Sequence, residues 1–227
     1  MRAAARADAP SLDRLIALYW QPLKIFLVAT FPSLRAEADA VLQDFAEDKL
    51  LQAGWLGKAD RSRGRFRDFL KTSLRHFVLD RVRRAEVKNA PLSLEELEQE
   101  LPAPEAPAEA FDLAWARAVL AETLRRMEAD CRRPGQEQPR RGQIWEMFQL
   151  RLLEPLFSEA APVPYERLVD RFGLKSPTEA SNLLLSAKRI FKRHLDEVIK
   201  DYAGRGPAAA LELQALRDFL DGLAKRG

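Results

Sequence analysis

Basic side chains are concentrated in one short stretch of this 227-residue chain. Ten lysines and arginines lie between Arg61 and Lys88, where only three acids occur. The whole chain has 37 basic and 34 acidic residues, so its net charge of +3 does not by itself indicate a polyanionic partner. The local excess does, because clustered cations neutralise backbone phosphates and release their counterions. We therefore predict a nucleic-acid-binding face here, with an ordinary solvated helix face as the alternative.

Two aromatic residues occur beside the basic stretch. Aromatic rings beside clustered cations can stack on the bases of a nucleic acid whose backbone the cations contact. Trp55 and Phe66 could supply such rings. Both could equally belong to a hydrophobic core, and for Phe66 we expect the core.

The sequence contains none of the common catalytic or cofactor-binding motifs. It has no glycine-rich phosphate loop, no GxSxG, no HExxH and no CxxC. Cys131 is the single cysteine and there are two histidines, so neither an internal disulfide nor a zinc site is expected. We predict a protein that is not an enzyme and has no catalytic residues, metal or other cofactors. Without a long apolar run or a secretory signal, the expected location is the cytoplasm.

The spacing of apolar residues predicts helices and no strands. In the first part of the chain, apolar positions recur at three- and four-residue steps from Ser11 to Pro32, from Arg35 to Ala53 and from Phe66 to Lys88. Three such helices can bury one shared core, which predicts a first domain over residues 1–90.

An acidic segment with several prolines follows. Between Pro91 and Asp112 there are seven acids and no base. Like charges repel and proline interrupts helices, so we predict an extended linker over residues 91–110 with one short helix at Ser93–Leu101.

The second part has the pattern of a helix-turn-helix. After predicted helices at Phe111–Asp130 and Gln143–Phe157, a short helix at Tyr165–Phe172 precedes Gly173, a typical helix-ending glycine. Ser176 and Glu179 form a capping-box sequence that predicts the start of a longer, basic helix. We predict a domain over residues 111–203, in which His194 is a cation near the end of that helix.

A last amphipathic helix is predicted over residues 204–227. Leu213, Leu216, Leu220 and Leu223 are spaced for one buried seam. We expect this helix to pack on the second domain.

Two parts of the chain resemble the extracytoplasmic-function (ECF) sigma factors, the smallest class of the sigma-70 family. Gln43-Asp44-Phe45 with Asp48-Lys49, then Asp60, Gly64-Arg65-Phe66-Arg67 and Phe69-Leu70, resemble region 2 of that family. The helix-turn-helix segment resembles region 4. The similarity covers most of residues 12–202. It implies an all-α protein in which a region 2-like three-helix domain and a region 4-like helix-turn-helix domain are joined by an acidic linker.

The resemblance also implies a function and its partners. Such a protein binds core RNA polymerase and directs promoter recognition and DNA melting. The expected partners are the clamp helices and flap of core RNA polymerase, promoter DNA and an anti-sigma factor as a further candidate, and no membrane. In the family the linker passes through the nucleic-acid channel of the polymerase; a simple spacer is the alternative for the acidic segment here.

Three groups of residues take roles from this resemblance. The resemblance assigns contact with the polymerase to Asp39, Gln43, Asp44, Phe45, Asp48 and Lys49. DNA melting at the downstream element falls on Trp55, Arg61, Arg63, Arg65, Arg67, Lys71, Arg75 and His76. Readout of the upstream element falls on Ser176, Thr178, Ser181, Asn182, Ser186, Lys188, Arg189 and Lys192.

Two departures from the family pattern keep other functions open. The second helix of the helix-turn-helix has small polar residues where family members usually have basic or imidazole side chains, and Ala40 occupies a commonly acidic position. One alternative is a sigma-like adaptor that links a DNA-targeting or regulatory assembly to RNA polymerase. The other is a plain helix-turn-helix regulator that dimerises through the leucine stripe of the last helix.

Overall fold

The computed structural model describes residues 9–50, 65–86, 94–99, 101–103, 105–133, 140–158, 161–204 and 207–224. All regular secondary structure within these ranges is helical. The prediction of an all-α chain is therefore confirmed for the described residues. Trp55, Arg61 and Arg63, three of the predicted DNA-melting residues, lie outside them.

Ten α-helices are described. They are α1 (Ala9–Thr30), α2 (Ala38–Phe45), α3 (Phe66–Glu86), α4 (Leu94–Gln99), α5 (Glu105–Cys131), α6 (Arg140–Phe148), α7 (Glu154–Ser158), α8 (Tyr165–Phe172), α9 (Pro177–Ala203) and α10 (Pro207–Ala224). A 3₁₀ helix at Pro32–Glu37 precedes α2, and π-helical turns at Ala46–Leu50 and Gln149–Leu153 extend α2 and α6.

The chain divides into two compact units at points inside α5 and α9. Unit 1 comprises Met1–Val119 and Ile199–Gly227, and unit 2 comprises Leu120–Val198. The predicted segments instead divided the chain at residues 90, 110 and 203. The difference has a physical cause: Phe111, Trp115 and Tyr202, which the sequence assigned to the second domain, are buried in unit 1.

The core of unit 1 is built on contacts among α1, α2 and α3. Leu27, Val41 and Leu70 are fully buried there. Tyr19 of α1 is the centre of an aromatic group, with its ring 6.3 Å from that of Phe111 and 5.4 Å from that of Tyr202. The predicted three-helix core therefore also includes residues from α5 and α9.

Helix α5 begins inside the segment that the sequence predicts to be an extended linker. It starts at Glu105, six residues before the predicted start at Phe111, and Pro107 is buried in its first turn. Proline is tolerated there because the first-turn N–H groups have no partner within the helix. The short helix α4 agrees with the prediction. For residues 105–110, the prediction of an extended chain is wrong.

Unit 2 has a core to which α6, α8 and α9 contribute. Leu168 and Phe172 of α8 pack with Leu183 and Leu184 of α9. Beside them, Cys131 packs with Trp145, Phe148 and Ala187. The apolar run in the predicted recognition helix is thus mostly a packing surface, although Leu185 is exposed.

Helix α10 packs differently from the prediction. It belongs to unit 1 and not to the second domain. Leu216 is buried as expected, but Leu220 is 38% exposed, and Glu212 is buried on the inward face instead. The predicted leucine seam is therefore wrong for Leu220, and the side chain of Leu223 lies outside the described part of the structure.

Candidate nucleic-acid interface

The predicted polymerase-binding residues lie on α2 and on the π-helical turn that extends it. Asp39, Gln43, Asp44 and Asp48 are exposed, and Lys49 is half-buried. Two of the carboxylates are paired with neighbouring helices: Lys24 of α1 donates a hydrogen bond to Asp39 at 2.7 Å, and Arg81 of α3 donates one to Asp44. The result is a polar helix face whose acids are partly neutralised.

Phe45 does not belong to this face. Its side chain is fully buried, and its ring meets that of Phe77 edge-to-face at 5.5 Å between centroids. The assignment of Phe45 to polymerase contact is therefore wrong, and Phe45 is a core residue. Without Phe45, the described part of this face has no large apolar side chain at its centre, contrary to what the sequence suggested.

The basic residues of α3 separate into exposed and buried groups. Arg65, just before the helix, and His76 are exposed, and Arg75 is half-buried. Lys71 is mostly buried, with its Nζ 3.1 Å from Asp68 and 3.7 Å from Asp112. Only part of the predicted DNA-melting set is therefore available to a partner.

Arg67 is the clearest correction to the predicted DNA-binding set. It is 1% exposed, and its guanidinium carbon lies 4.2 Å from the centre of the Trp115 ring. Its Nε is 3.7 Å from Asp112 Oδ1 and its Nη1 is 3.9 Å from Glu212 Oε2. Arg67 is thus an internal cation that joins α3 to α5 and α10 by cation–π and ion-pair contacts.

This internal ion cluster is loosely bonded. Both distances from Arg67 to the carboxylates exceed hydrogen-bond length. Within the described ranges, neither carboxylate oxygen of Glu212 has a hydrogen-bond partner, nor do Nε and Nη1 of Arg67. Burial raises the pKa of Glu212 to about 7, although Arg67 and Arg65 act in the opposite direction. Near neutral pH, Glu212 therefore exchanges between its charged and neutral forms.

A cleft of about 600 Å³ lies beside this cluster in unit 1. Arg65 and Arg67 line it together with Glu109, Asp112 and Asp218, and Phe219 contributes an apolar wall. Cations and carboxylates alternate, so the cleft carries no strong excess of either charge. It does not have the character of a phosphate site.

The helical period carried a signal for the burial of Arg67 and Glu212. Arg67 lies three and seven residues before Leu70 and Leu74, both fully buried, and so falls on the apolar stripe of α3. Glu212 lies between Ala209 and Leu216 on the buried stripe of α10. The sequence prediction places Arg67 on the surface because it is charged and leaves Glu212 out of the buried seam, although the helical spacing of both residues indicates burial.

The predicted helix-turn-helix segment has the local structure that its sequence indicates. Gly173 ends α8 with φ 62°, a left-handed conformation that glycine adopts without strain. The Ser176 hydroxyl accepts a hydrogen bond from the Glu179 N–H at 3.2 Å. The Glu179 carboxylate in turn accepts one from the Lys175 N–H at 2.8 Å, one residue earlier than in the standard capping box.

The polar residues of α9 lie mainly on its exposed side. Thr178 and Asn182 are exposed, as are the cations Lys188, Arg189 and Lys192. Ser176, Ser181 and Ser186 are half-buried, and the Ser186 hydroxyl donates to the Asn182 carbonyl at 3.0 Å. Most of the predicted upstream-reading residues thus remain accessible on one helix.

A compact charged group centres on Asp130, near the end of α5. Asp130 accepts hydrogen bonds from Arg141 at 3.0 Å and from Arg193 at 2.5 Å, and His194 Nε2 is 3.2 Å from it. His194 Nδ1 is 3.0 Å from Glu197. His194 is therefore a buried, bonded residue inside α9, so its predicted role as a cation at a helix end is wrong. The sequence prediction missed Asp130, Arg141 and Arg193 as a group because they come from three separate helices.

Comparison with known proteins does not identify the chain: no family model, no curated protein and no solved structure matches it. Within the described ranges, no helix has both the length and the apolar composition needed to cross a bilayer. Among the same residues, no group of histidine, cysteine and carboxylate side chains is arranged to hold a metal ion.

Proposed function

We propose that the chain is an RNA polymerase sigma factor of the ECF type, built from a region 2-like and a region 4-like helical domain. It binds core RNA polymerase through the exposed polar face of α2 and directs promoter recognition and melting. The expected partners are core RNA polymerase and promoter DNA, and the expected location is the cytoplasm. The proposal rests first on the sequence resemblance described above.

One structural observation supports the proposal most directly. The capped helix α9, which follows the Gly173 turn, exposes small polar side chains in its first turns and cations further along. This is the order that a recognition helix needs, because base edges are read near its start and phosphates are neutralised by its basic residues.

A second candidate function, the sigma-like adaptor, is favoured by the burial of Arg67 and the near burial of Lys71. Both residues belong to the predicted melting set, so unit 1 has fewer accessible cations than the sequence indicates. An adaptor would bind polymerase and would not open promoter DNA by itself.

The two candidates separate in one experiment with the full-length chain. Tagged protein is incubated with core RNA polymerase, recovered, and assayed by run-off transcription on a genomic promoter library. A sigma factor gives both association and transcripts, whereas association without transcripts indicates the adaptor. Absence of association contradicts both.

Paired variants test the assigned polymerase contact. Q43A/D48A removes two exposed groups of the α2 face and should lower the recovered polymerase at least about tenfold, since loss of central interface contacts typically costs more than about 1.4 kcal/mol. E37A is the matched control, because Glu37 is exposed and lies just before α2. Equal recovery with both variants contradicts the assignment.

A further inference from the structure

A cleft of about 530 Å³ in unit 2 is lined mainly by arginines, and we call it the Asp130 cleft. Five arginines line it: Arg125, Arg126, Arg133, Arg141 and Arg193. Asp130 and Glu197 are the acids of the lining, and Glu122 bonds Arg125 and Arg126 from within α5. Among these residues the five arginines outnumber the three acids by two. A concave surface with such an excess concentrates anions from solution.

Asp130 fixes the positions of two arginine side chains in the cleft. It accepts hydrogen bonds from Arg141 and Arg193, which come from different helices. Burial alone would raise the pKa of Asp130, but the His194 contact and the charges of Arg141 and Arg193 lower it below its ordinary value. The carboxylate is therefore charged at neutral pH and orients two guanidinium groups before any ligand arrives.

The arginines keep donors for a further anion. A guanidinium has five N–H groups, and Asp130 uses only a minority of those on Arg141 and Arg193. The side chain of Arg193 is 50% exposed and that of Arg125 is 67% exposed. Arg133 is exposed as well. Guanidinium groups of this kind bind phosphate oxygens with two parallel hydrogen bonds.

The cationic surface continues from the cleft along α9. Arg189 is exposed and lies four residues before Arg193 on the same face of α9, and the exposed Lys188 and Lys192 form a neighbouring row. Positions four residues apart on a helix are separated by about 6 Å along its axis, so the charges form a line and not a single point. A line of cations matches the repeated phosphates of a nucleic-acid strand better than one small anion.

We propose that the Asp130 cleft binds backbone phosphates of duplex DNA. This inference rests on the proposed function, because it extends the contact assigned there to Lys188, Arg189 and Lys192. Phosphate contacts fix the position of a protein on DNA and carry no sequence information. The cleft therefore adds affinity and register, while base readout stays with the first turns of α9.

The test measures how DNA binding depends on salt. Full-length protein is titrated against a fluorescent duplex between about 50 and about 200 mM KCl, and log affinity is plotted against log salt. The slope should fall by about two units in R133A/R193A and by about one in R133A, since each lost phosphate contact removes about 0.9. R132A is the matched control: Arg132 is the adjacent exposed arginine, it pairs with Glu128, and it does not line the cleft.

Several outcomes overturn the inference. They are an R133A slope equal to that of R132A, no DNA binding at the lowest salt, and ATP binding that R133A abolishes while the DNA slope stays unchanged. The last result would make the cleft a free-nucleotide site. R133A changes no bond to Asp130, so it remains informative if R133A/R193A does not fold.

The failure of this inference is distinguishable from failure of the proposed function. If K188A/R189A lowers the slope and the cleft variants do not, only the cleft assignment is lost. If the cleft variants lower the slope but the protein does not associate with core polymerase, the cleft still binds DNA and the sigma assignment is lost.

Discussion

Arg67 in unit 1 and Arg193 in unit 2 have similar sequence surroundings, but Arg67 is buried and Arg193 is half-exposed. Each lies in a helix rich in basic residues and each pairs with carboxylates. Arg67 is 1% exposed and stands 3.9 Å from Glu212, whereas the Arg193 side chain is 50% exposed and donates to Asp130 at 2.5 Å. One cation is part of a core, and the other is part of a surface.

The difference shows that the number of basic residues in a stretch does not measure its capacity to bind a polyanion. A buried cation has lost its hydration. Carboxylate partners beyond hydrogen-bond distance offset only part of this desolvation free energy. A half-exposed cation keeps its hydration and most of its donors, so its pairing is weak and a ligand can compete for it. Burial decides which role an arginine takes.

The largest effect should come from removing the buried cation. R67A leaves Glu212 and Asp112 without their central positive charge and removes the packing of the Arg67 side chain on Trp115. We expect a loss of about 4 kcal/mol in the free energy of unfolding, measured by urea denaturation at neutral pH. R65A removes an exposed arginine two residues away and should cost less than about 1 kcal/mol.

The double variant R67M/E212L sharpens this test. It replaces the buried ions by apolar groups of similar size, and such replacements are often neutral or stabilising. Its stability should therefore lie well above that of R67A. If R67A costs no more than R65A, the buried ion cluster does not contribute as described.

A smaller effect should appear as pH dependence in unit 1. Burial raises the pKa of Glu212 from 4.5 to about 7, so the folded protein binds more protons than the unfolded chain between these values. The stabilisation is complete below the lower value and is lost as the pH rises to the upper one. As the pH rises from about 5 to about 8, the stability of E212Q relative to that of the wild type should therefore increase by about 3 kcal/mol.

The measurement is a pair of urea titrations at each pH. E37Q is the control, because Glu37 is exposed and its replacement should not change with pH in this way. A constant difference between E212Q and wild type across this range contradicts the account of the buried carboxyl.

The smallest effect should come from the carboxylate of unit 2, with the opposite pH sign. The pKa of Asp130 is lowered below its ordinary value of 3.8, so its stabilisation is present above that value and is lost as the pH falls through the lowered one. D130N should cost about 1 kcal/mol at neutral pH, since it weakens hydrogen bonds to half-exposed arginines. The cost should disappear in acid, as urea titrations at neutral and low pH would show.

The control for D130N is E146Q. Glu146 forms an exposed pair with Arg171 in the same unit and should contribute less than about 0.5 kcal/mol. If D130N is no worse than E146Q at neutral pH, Asp130 does not organise the arginines around it.

Features that depend on neighbouring residues were predictable from the sequence. The left-handed Gly173 and the Ser176 cap are fixed by local backbone chemistry, and both are present. The sequence prediction begins this helix at Phe111 because Pro107 suggests an interruption, whereas α5 begins at Glu105, since proline fits the first turn of a helix. The helical structure of the described ranges follows from apolar spacing alone and is also present.

The candidate sites were less predictable because they depend on contacts between distant segments. Arg67 contacts Trp115 and Glu212, which lie 48 and 145 residues further along the chain. The residues that neighbour Arg67 in the sequence do not predict these contacts. The Asp130 cleft likewise joins residues from three helices. A single sequence gives the type and period of each residue, but tertiary packing selects its partner.

Cys131 gives unit 2 a built-in reporter. It is the single cysteine of the sequence and lies in the core against Trp145, Phe148 and Ala187. Burial, aided by the negative charge of Asp130, raises the pKa of its thiol, so the reactive thiolate is scarce while the core is closed. At a reagent concentration high enough that labelling is faster than reclosing, the labelling rate equals the rate at which this core opens. The rate of local opening in unit 2 can thus be measured with the native sequence, without an engineered probe.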